Sequence, residues 1–252
     1  MATIIGTLGP DFLEGTQDRD VIVGDQGNDT IEGGDGNDTL LGGQGDDLFQ
    51  LVDGRDLIIG AGGTDTALVV GNYTLPEQAA ENLMLAGTAN INGNGNSDSN
   101  TILGNIANNV LSGSGDGDTL NGGMGNDTLI GGGGKDLLTG SGGLDHMLYN
   151  KPSESPLLFS ARDAINTFAH GDKIDLSGID ANDRLDGDQS FSWGQDTTPG
   201  QWAIGHLEWV HVATNSWLVW ADTSGDGVPD FALNIYSSPL GFGQLHSWDF
   251  IL

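Results

Sequence analysis

From Gly6 onward an apolar side chain returns every nine residues. Cut at that interval, the chain reads GTLGPDFLE, GTQDRDVIV, GDQGNDTIE, GGDGNDTLL, GGQGDDLFQ, LVDGRDLII and GAGGTDTAL. The eighth position holds Leu13, Ile22, Ile31, Leu40, Phe49, Ile58 and Ala67. A second frame opens at Gly95 with GNSDSNTIL, GNIANNVLS, GSGDGDTLN, GGMGNDTLI, GGGGKDLLT and GSGGLDHML. Its eighth positions are Ile102, Leu111, Leu120, Leu129, Leu138 and Met147. A fixed period of this kind marks a repeat architecture rather than an amphipathic helix or an ordinary alternating strand.

The early glycines of each unit permit positive φ and a tight turn that aims carbonyl oxygens at one point. The three residues after the turn form a short strand whose middle side chain points inward. One full turn therefore takes two units, and the apolar eighth residues stack into a narrow core. The predicted fold is all-β: a parallel β-roll (a right-handed solenoid) followed by a compact β C-terminal cap. Residues 1–70 form the first block and residues 95–149 the second. Residues 71–94 interrupt them and are expected to continue the roll as metal-free turns, with Leu83 and Leu85 inward. Residues 150–252 form the cap.

The sixth position supplies the candidate chemistry. It reads Asp11, Asp20, Asp29, Asp38, Asp47, Asp56 and Asp65 in the first block. In the second it reads Asn100, Asn109, Asp118, Asp127, Asp136 and Asp145. With two units per turn, the Asp of one unit lies over the Asp two units later. Two carboxylates and several turn carbonyls suit calcium, which takes roughly six to eight oxygens and tolerates irregular geometry. Magnesium demands stricter geometry, and zinc would want His or Cys, which no repeat position supplies. The units LVDGRDLII and GNSDSNTIL lack key glycines or the Asp, so weak or absent metal is expected there.

Charge points the same way. Seven Lys and Arg face 36 Asp and Glu, for a formal net charge of −29. Such a chain cannot neutralise phosphates and has no attraction for anionic membranes. No nucleic acid and no membrane insertion are expected. Nine stacked sixth-position pairs, five in the first block and four in the second, holding nine divalent ions would bring the charge to about −11. There is no cysteine, so metal is the expected staple of an extracellular fold. The N-terminus lacks the basic and apolar regions of a cleaved signal peptide.

These nonapeptides resemble the repeats of the RTX (hemolysin-type) family, for which the period and its calcium ligation are known. The resemblance implies a secreted, calcium-dependent roll that folds on calcium binding after export. All six Trp follow residue 150. There, DAINTFAHGDKIDLSGID (163–180) resembles the cap segment after the roll of serralysin-like secreted peptidases. The final stretch from Asp222 resembles the end of that domain. The terminal Asp249-Phe250-Ile251-Leu252 resembles the uncleaved signal read by type I secretion machinery.

Within the cap, Asp222, Ser224 and Asp226 resemble the start of a D-x-[DN]-x-D-G calcium loop, with Asp230 as a later ligand. A plain acidic hairpin between two strands, WLVWAD and DFALNIY, fits the same residues. No H-E-x-x-H zinc helix and no G-x-S-x-G elbow occurs, and no catalytic domain is expected ahead of Gly6. Catalytic and organic-cofactor residues are therefore expected to be none, and the chain is read as non-enzymatic. The alternative is a carbohydrate-binding module, or an accessory domain of a polysaccharide-modifying or proteolytic enzyme. The expected partners are calcium, the type I exporter, and either a second copy of the chain or an extracellular glycan. Thr3-Ile4-Ile5 would be an uncapped edge strand through which copies could join.

Overall fold

The computed structural model describes residues 1–51, 55–184, 189–193, 204–237 and 245–252. The first block gives β1 (Thr3–Ile5), β2 (Phe12–Glu14), β3 (Val21–Gln26), β4 (Thr30–Glu32) and β5 (Thr39–Gln44). It continues with β6 (Leu48–Leu51), β7 (Leu57–Gly62) and β8 (Thr66–Val69). The interrupting segment gives β9 (Tyr73–Thr74), β10 (Asn82–Leu85) and β11 (Gly93–Asn94). The second block gives β12 (Thr101–Leu103), β13 (Val110–Ser114), β14 (Thr119–Met124), β15 (Thr128–Gly132), β16 (Leu137–Gly142) and β17 (His146–Leu148).

Successive strands alternate between two faces, and each pairs in parallel with the strand one turn away. Thr3 pairs with Val21, Val21 with Thr39, and Thr39 with Leu57. The 18-residue register is two nonapeptides per turn, as the repeat predicts. A shift of one residue would turn every apolar eighth side chain outward. In this register Ile22, Ile31, Leu40, Phe49, Ile58, Ile102, Leu120 and Leu129 are all fully buried.

The two faces differ. One sheet runs without a break from β2 through β4, β6, β8, β10, β12, β14 and β16. The opposite face is split into β1-β3-β5-β7 and a second sheet that begins at β9. The split falls in the interrupting segment, where Leu83 and Leu85 point inward as expected. The Tyr73 hydroxyl donates to the Asp56 carbonyl across the seam.

The sheets do not stop at residue 150. Strand β18 (Ala164–Phe168) pairs in parallel with β16, and β19 (Lys173–Asp175) with β17. The remaining strands are β20 (Ser192–Trp193), β21 (His206–Ala213), β22 (Ser216–Ala221), β23 (Phe231–Ser237) and β24 (Phe250–Ile251). Strand β23 adds in parallel to β18, and β22 and β21 follow as an antiparallel meander. WLVWAD and DFALNIY are therefore paired strands, as their alternation suggested. Strand β24 pairs with β19. Among the described residues no helix is long and apolar enough to cross a membrane.

The narrow core sets the sensitivity of the roll. Leu129→Ala removes a fully buried stack member and should cost ~2–5 kcal/mol. Met124 is largely exposed at the end of β14, and Met124→Ala should change stability by less than ~0.5 kcal/mol. Thermal unfolding in saturating calcium compares the two. Equal midpoints would contradict the assigned inward positions.

Candidate metal centres

Each sixth-position residue stands immediately before a strand, where the turn closes. Its carboxylate reaches along the roll axis to the turn before it. The amides of Asp11, Asp29 and Asp47 donate to Oδ1 of Asp29, Asp47 and Asp65 at 2.8–2.9 Å. On the opposite face Asp20 and Asp38 donate to Oδ1 of Asp38 and Asp56. In the second block Asn100, Asn109, Asp118 and Asp127 donate to Oδ1 of Asp118, Asp127, Asp136 and Asp145. The carboxylates thus form two ladders in the roll register.

The second oxygen of these groups points into the turn. Oδ2 of Asp29, Asp47, Asp118, Asp127, Asp136 and Asp145 is buried and accepts no hydrogen bond. Carbonyls crowd beside it. A Cβ added to Gly24 would lie 2.3 Å from Asp29 Oδ2 and 2.4 Å from the Gly42 oxygen. At Gly113 the same point is 2.1 Å from Asp118 Oδ2 and 2.6 Å from the Gly131 oxygen. In these turns glycine is required at the first position because the carboxylate and the carbonyl of the next turn occupy the space of a side chain. The fourth position needs it for the turn itself: Gly134 has φ +139°, and a Cβ there would meet the Asp116 carbonyl.

Buried carboxylate oxygens without donors, set among carbonyls, are costly unless a cation joins them. Among the described residues no three His, Cys, Asp or Glu side chains converge on one point. The donor set is therefore two carboxylates with backbone carbonyls, a hard-oxygen set that fits calcium.

Not every expected ligand has this geometry. Asp11 Oδ2 accepts the Thr7 amide and hydroxyl, and Asp20 Oδ2 accepts those of Thr16. Threonine at the second position therefore satisfies its own turn's carboxylate. Asn100 and Asn109 satisfy theirs differently. Oδ1 accepts the Asn96 and Asn105 amides, while Nδ2 donates to the Glu81 and Ile91 carbonyls of the turn before. A carboxamide thus supplies the donor that an Asp turn lacks. In LVDGRDLII, Asp56 keeps its place in the ladder, and residues 52–54 lie outside the described residues.

The cap loop is self-satisfied too. Asp222 accepts the Gly225 and Gly227 amides on its two oxygens. Asp230 Oδ2 accepts the Thr223 and Ser224 amides, and Asp226 Oδ1 accepts the Val228 amide. The Ser224 hydroxyl faces Asp222. These contacts build a hairpin between β22 and β23 with its carboxylates already engaged.

Three ladder members do not occupy repeat positions. Asp136 and Asp145 donate to Oδ1 of Asp163 and Asp172, 27 residues later, so both ladders enter the cap. Asp65 donates to Glu81 Oε2. The usable sequence signal was an acidic residue two positions before an inward apolar one: Asp163 before Ile165, Asp172 before Ile174, and Glu81 before Leu83.

Burial pushes the Asp118 carboxyl up to about 7, with the charges of Asp136 and Asp116 adding to the shift. Burial likewise raises Asp65, Asp127 and Asp136 to about 6 and Asp163, beside Tyr149, to about 8. The donated amides act against each rise. Asp20 moves the other way, lowered first by the Ala2 amide and then by the Thr16 hydroxyl.

The sign of the pH effect follows. A carboxyl raised in the folded, metal-free chain favours its protonated form there. Its contribution is complete below the unfolded value of 3.8 and is lost as pH rises through about 6 to 8. In chelator the chain should be more structured near pH ~5 than near pH ~8. The calcium midpoint should rise as pH falls from ~8 to ~5, because protons compete with the ion. Circular dichroism across both titrations checks this; a midpoint independent of pH contradicts the buried-ladder geometry.

The family model described as the RTX calcium-binding nonapeptide repeat (four copies) matches residues 3–31, 14–49, 32–67, 94–129 and 112–147. No curated protein matches the sequence. Among solved structures, the chain is similar to the AlgE6R3 subunit of the mannuronan C5-epimerase from Azotobacter vinelandii. That alignment has 21% identity and a TM-score of 0.41, and covers 60% of this chain and 87% of the other. It is also similar to the extracellular lipase LipA from Serratia marcescens, with 15% identity and a TM-score of 0.35. That alignment covers 99% of this chain and spans 39% of the lipase. The nine-residue register, the paired carboxylates and the family-model match identify residues 3–67 and 94–147 as RTX calcium-binding nonapeptide repeats.

Proposed function

We propose that this chain is a secreted β-roll that folds when calcium reaches it outside the cell. It then serves as a structural or interaction surface rather than as an enzyme. The observation that carries this reading is the pair of ladders, in which Asp29, Asp47, Asp118, Asp127, Asp136 and Asp145 are buried with one oxygen on a neighbouring amide and the other without a donor. A thin core and a charge of −29 oppose folding until cations neutralise those groups. Low cytosolic calcium would keep the chain unfolded for a type I exporter. The terminal Asp249–Leu252 serves the exporter while unfolded and the sheet afterwards, since Phe250 and Ile251 pair with β19 and Asp249 is buried.

A glycan-binding role gains less support. Trp217 is buried, and Trp209 and Trp220 are half-buried. Trp248 is the one exposed indole among the described residues, and its ring stacks on His246. The side chain of Trp193, and Trp202, lie outside the described residues. The exposed His211 has its ring 5.4 Å from that of the buried Trp217.

Self-association belongs to the same reading. Strands β1 and β2 are the N-terminal edges of their sheets, and Ile5, Leu8 and Phe12 are exposed beside them. Open parallel edges with apolar side chains are templates for another copy.

Circular dichroism is expected to show coil in chelator and β structure in millimolar calcium. A spectrum indifferent to chelator overturns calcium-coupled folding. Light scattering should detect assembly in calcium that is lost on changing Ile5 and Phe12 to Lys. Ile4 packs on the core and is unsuitable for this test. A strict monomer at millimolar calcium overturns the edge contact.

A further inference from the structure

At the end of the first block the repeat fails, but the ladder does not. Position 83, one turn after Asp65, is the buried Leu83. The Asp65 amide instead donates to Glu81 Oε2 at 2.7 Å, close to the 2.8–2.9 Å of the regular Asp11, Asp29 and Asp47 amides. Glu81 stands immediately before β10, as Asp65 stands before β8. This turn is shorter, since Asn82 pairs with Thr66. The extra methylene of glutamate lets Oε2 reach the Asp65 amide, although Glu81 is exposed where the acceptors Asp29, Asp47 and Asp65 are buried.

The carbonyl is replaced as well. A Cβ added to Gly60 would lie 2.0 Å from Asp65 Oδ2 and 2.7 Å from the Ala79 oxygen. In the regular turn at Gly24 the corresponding atoms are Asp29 Oδ2 and the Gly42 oxygen. The Ala79 carbonyl is set by a tight turn in which the Ala79 amide donates to Pro76. Asp65 is 2% exposed. Its Oδ1 accepts the Asp47 amide, and its Oδ2, aimed at that carbonyl, has no donor among the described residues.

We propose that Asp65, Glu81 and the Ala79 carbonyl form a calcium site within the segment that separates the two repeat blocks. The site rests on the reading of the roll as calcium-binding, and it departs from the expectation that residues 71–94 are metal-free. It gives one face of the roll an unbroken polar chain. From Asp11 the ladder runs through Asp29, Asp47 and Asp65 to Glu81, whose carbonyl accepts Thr101 N and Asn100 Nδ2. It resumes at Asp118, Asp136 and Asp163. On the other face the seam at Tyr73 separates Asp56 from Asn109. Ion binding at Glu81 thus ties the two repeat blocks together along the continuous sheet.

Crystals of the full chain grown in calcium chloride test the site through anomalous scattering. A peak is expected between Asp65 and Glu81 in addition to peaks between Asp29 and Asp47. Peaks at the regular turns with none beside Glu81 overturn this site alone, whereas a roll with no peaks overturns the general reading. Glu81→Gln keeps an acceptor for the Asp65 amide and removes the charge. Its calcium count by titration calorimetry should fall by one while the circular dichroism at saturating calcium stays unchanged. An undiminished count in that variant also overturns the proposal.

Discussion

The structure depends on one carboxylate doing two things at once. Every metal-competent aspartate accepts an amide from the turn before with one oxygen and turns the other into a pocket of carbonyls. The first contact fixes the register between turns. The second makes that register unfavourable in isolation, because it buries negative charge without a donor. Calcium reconciles the two. A bound ion would satisfy the orphaned oxygens and offset the repulsion between carboxylates stacked a turn apart, which is the physical basis for proposing that folding and metal binding are coupled.

The turns that depart from the consensus reveal what the metal supplies. Thr7 and Thr16 give their own aspartates a hydroxyl and an amide. Asn109 replaces the charged oxygen with a carboxamide nitrogen that donates to the turn before. In both cases a hydrogen-bond donor from the chain takes over the work of a cation. The threonine turns fall at the N-terminal end of the roll and the asparagine turns at the start of the second block. These are places where a turn must hold its shape beside an edge or an interruption.

Both ladders run into the cap at Asp163 and Asp172, and β18, β19 and β24 extend the roll sheets in the same register. The C-terminal region is therefore joined to the repeats by backbone pairing and by shared carboxylates. Its antiparallel strands β21, β22 and β23 then cover the C-terminal end of the sheet that runs unbroken along the roll. The N-terminal edge strands β1 and β2 have no such cover among the described residues.

The sequence by itself determined the roll. A glycine turn, an aspartate and an inward apolar residue at fixed spacing admit few folds, because each is a local requirement repeated without a gap. The buried stack of Ile22, Leu40, Ile58 and Leu129 and the 18-residue pairing were legible on that basis. Only the tertiary structure decided which oxygens remain without donors. Asp20 and Asp29 occupy the same repeat position, yet a threonine hydroxyl four residues away satisfies Oδ2 of one and no donor reaches Oδ2 of the other. Glu81, Asp163 and Asp172 were hidden for a related reason. Their sequence spacings are 16 and 27 residues, but pairing between strands brings them to the places that a spacing of 18 reaches elsewhere. Strand register acts through space, and a loop can lengthen or shorten along the chain while the carboxylate still arrives beside the same amide.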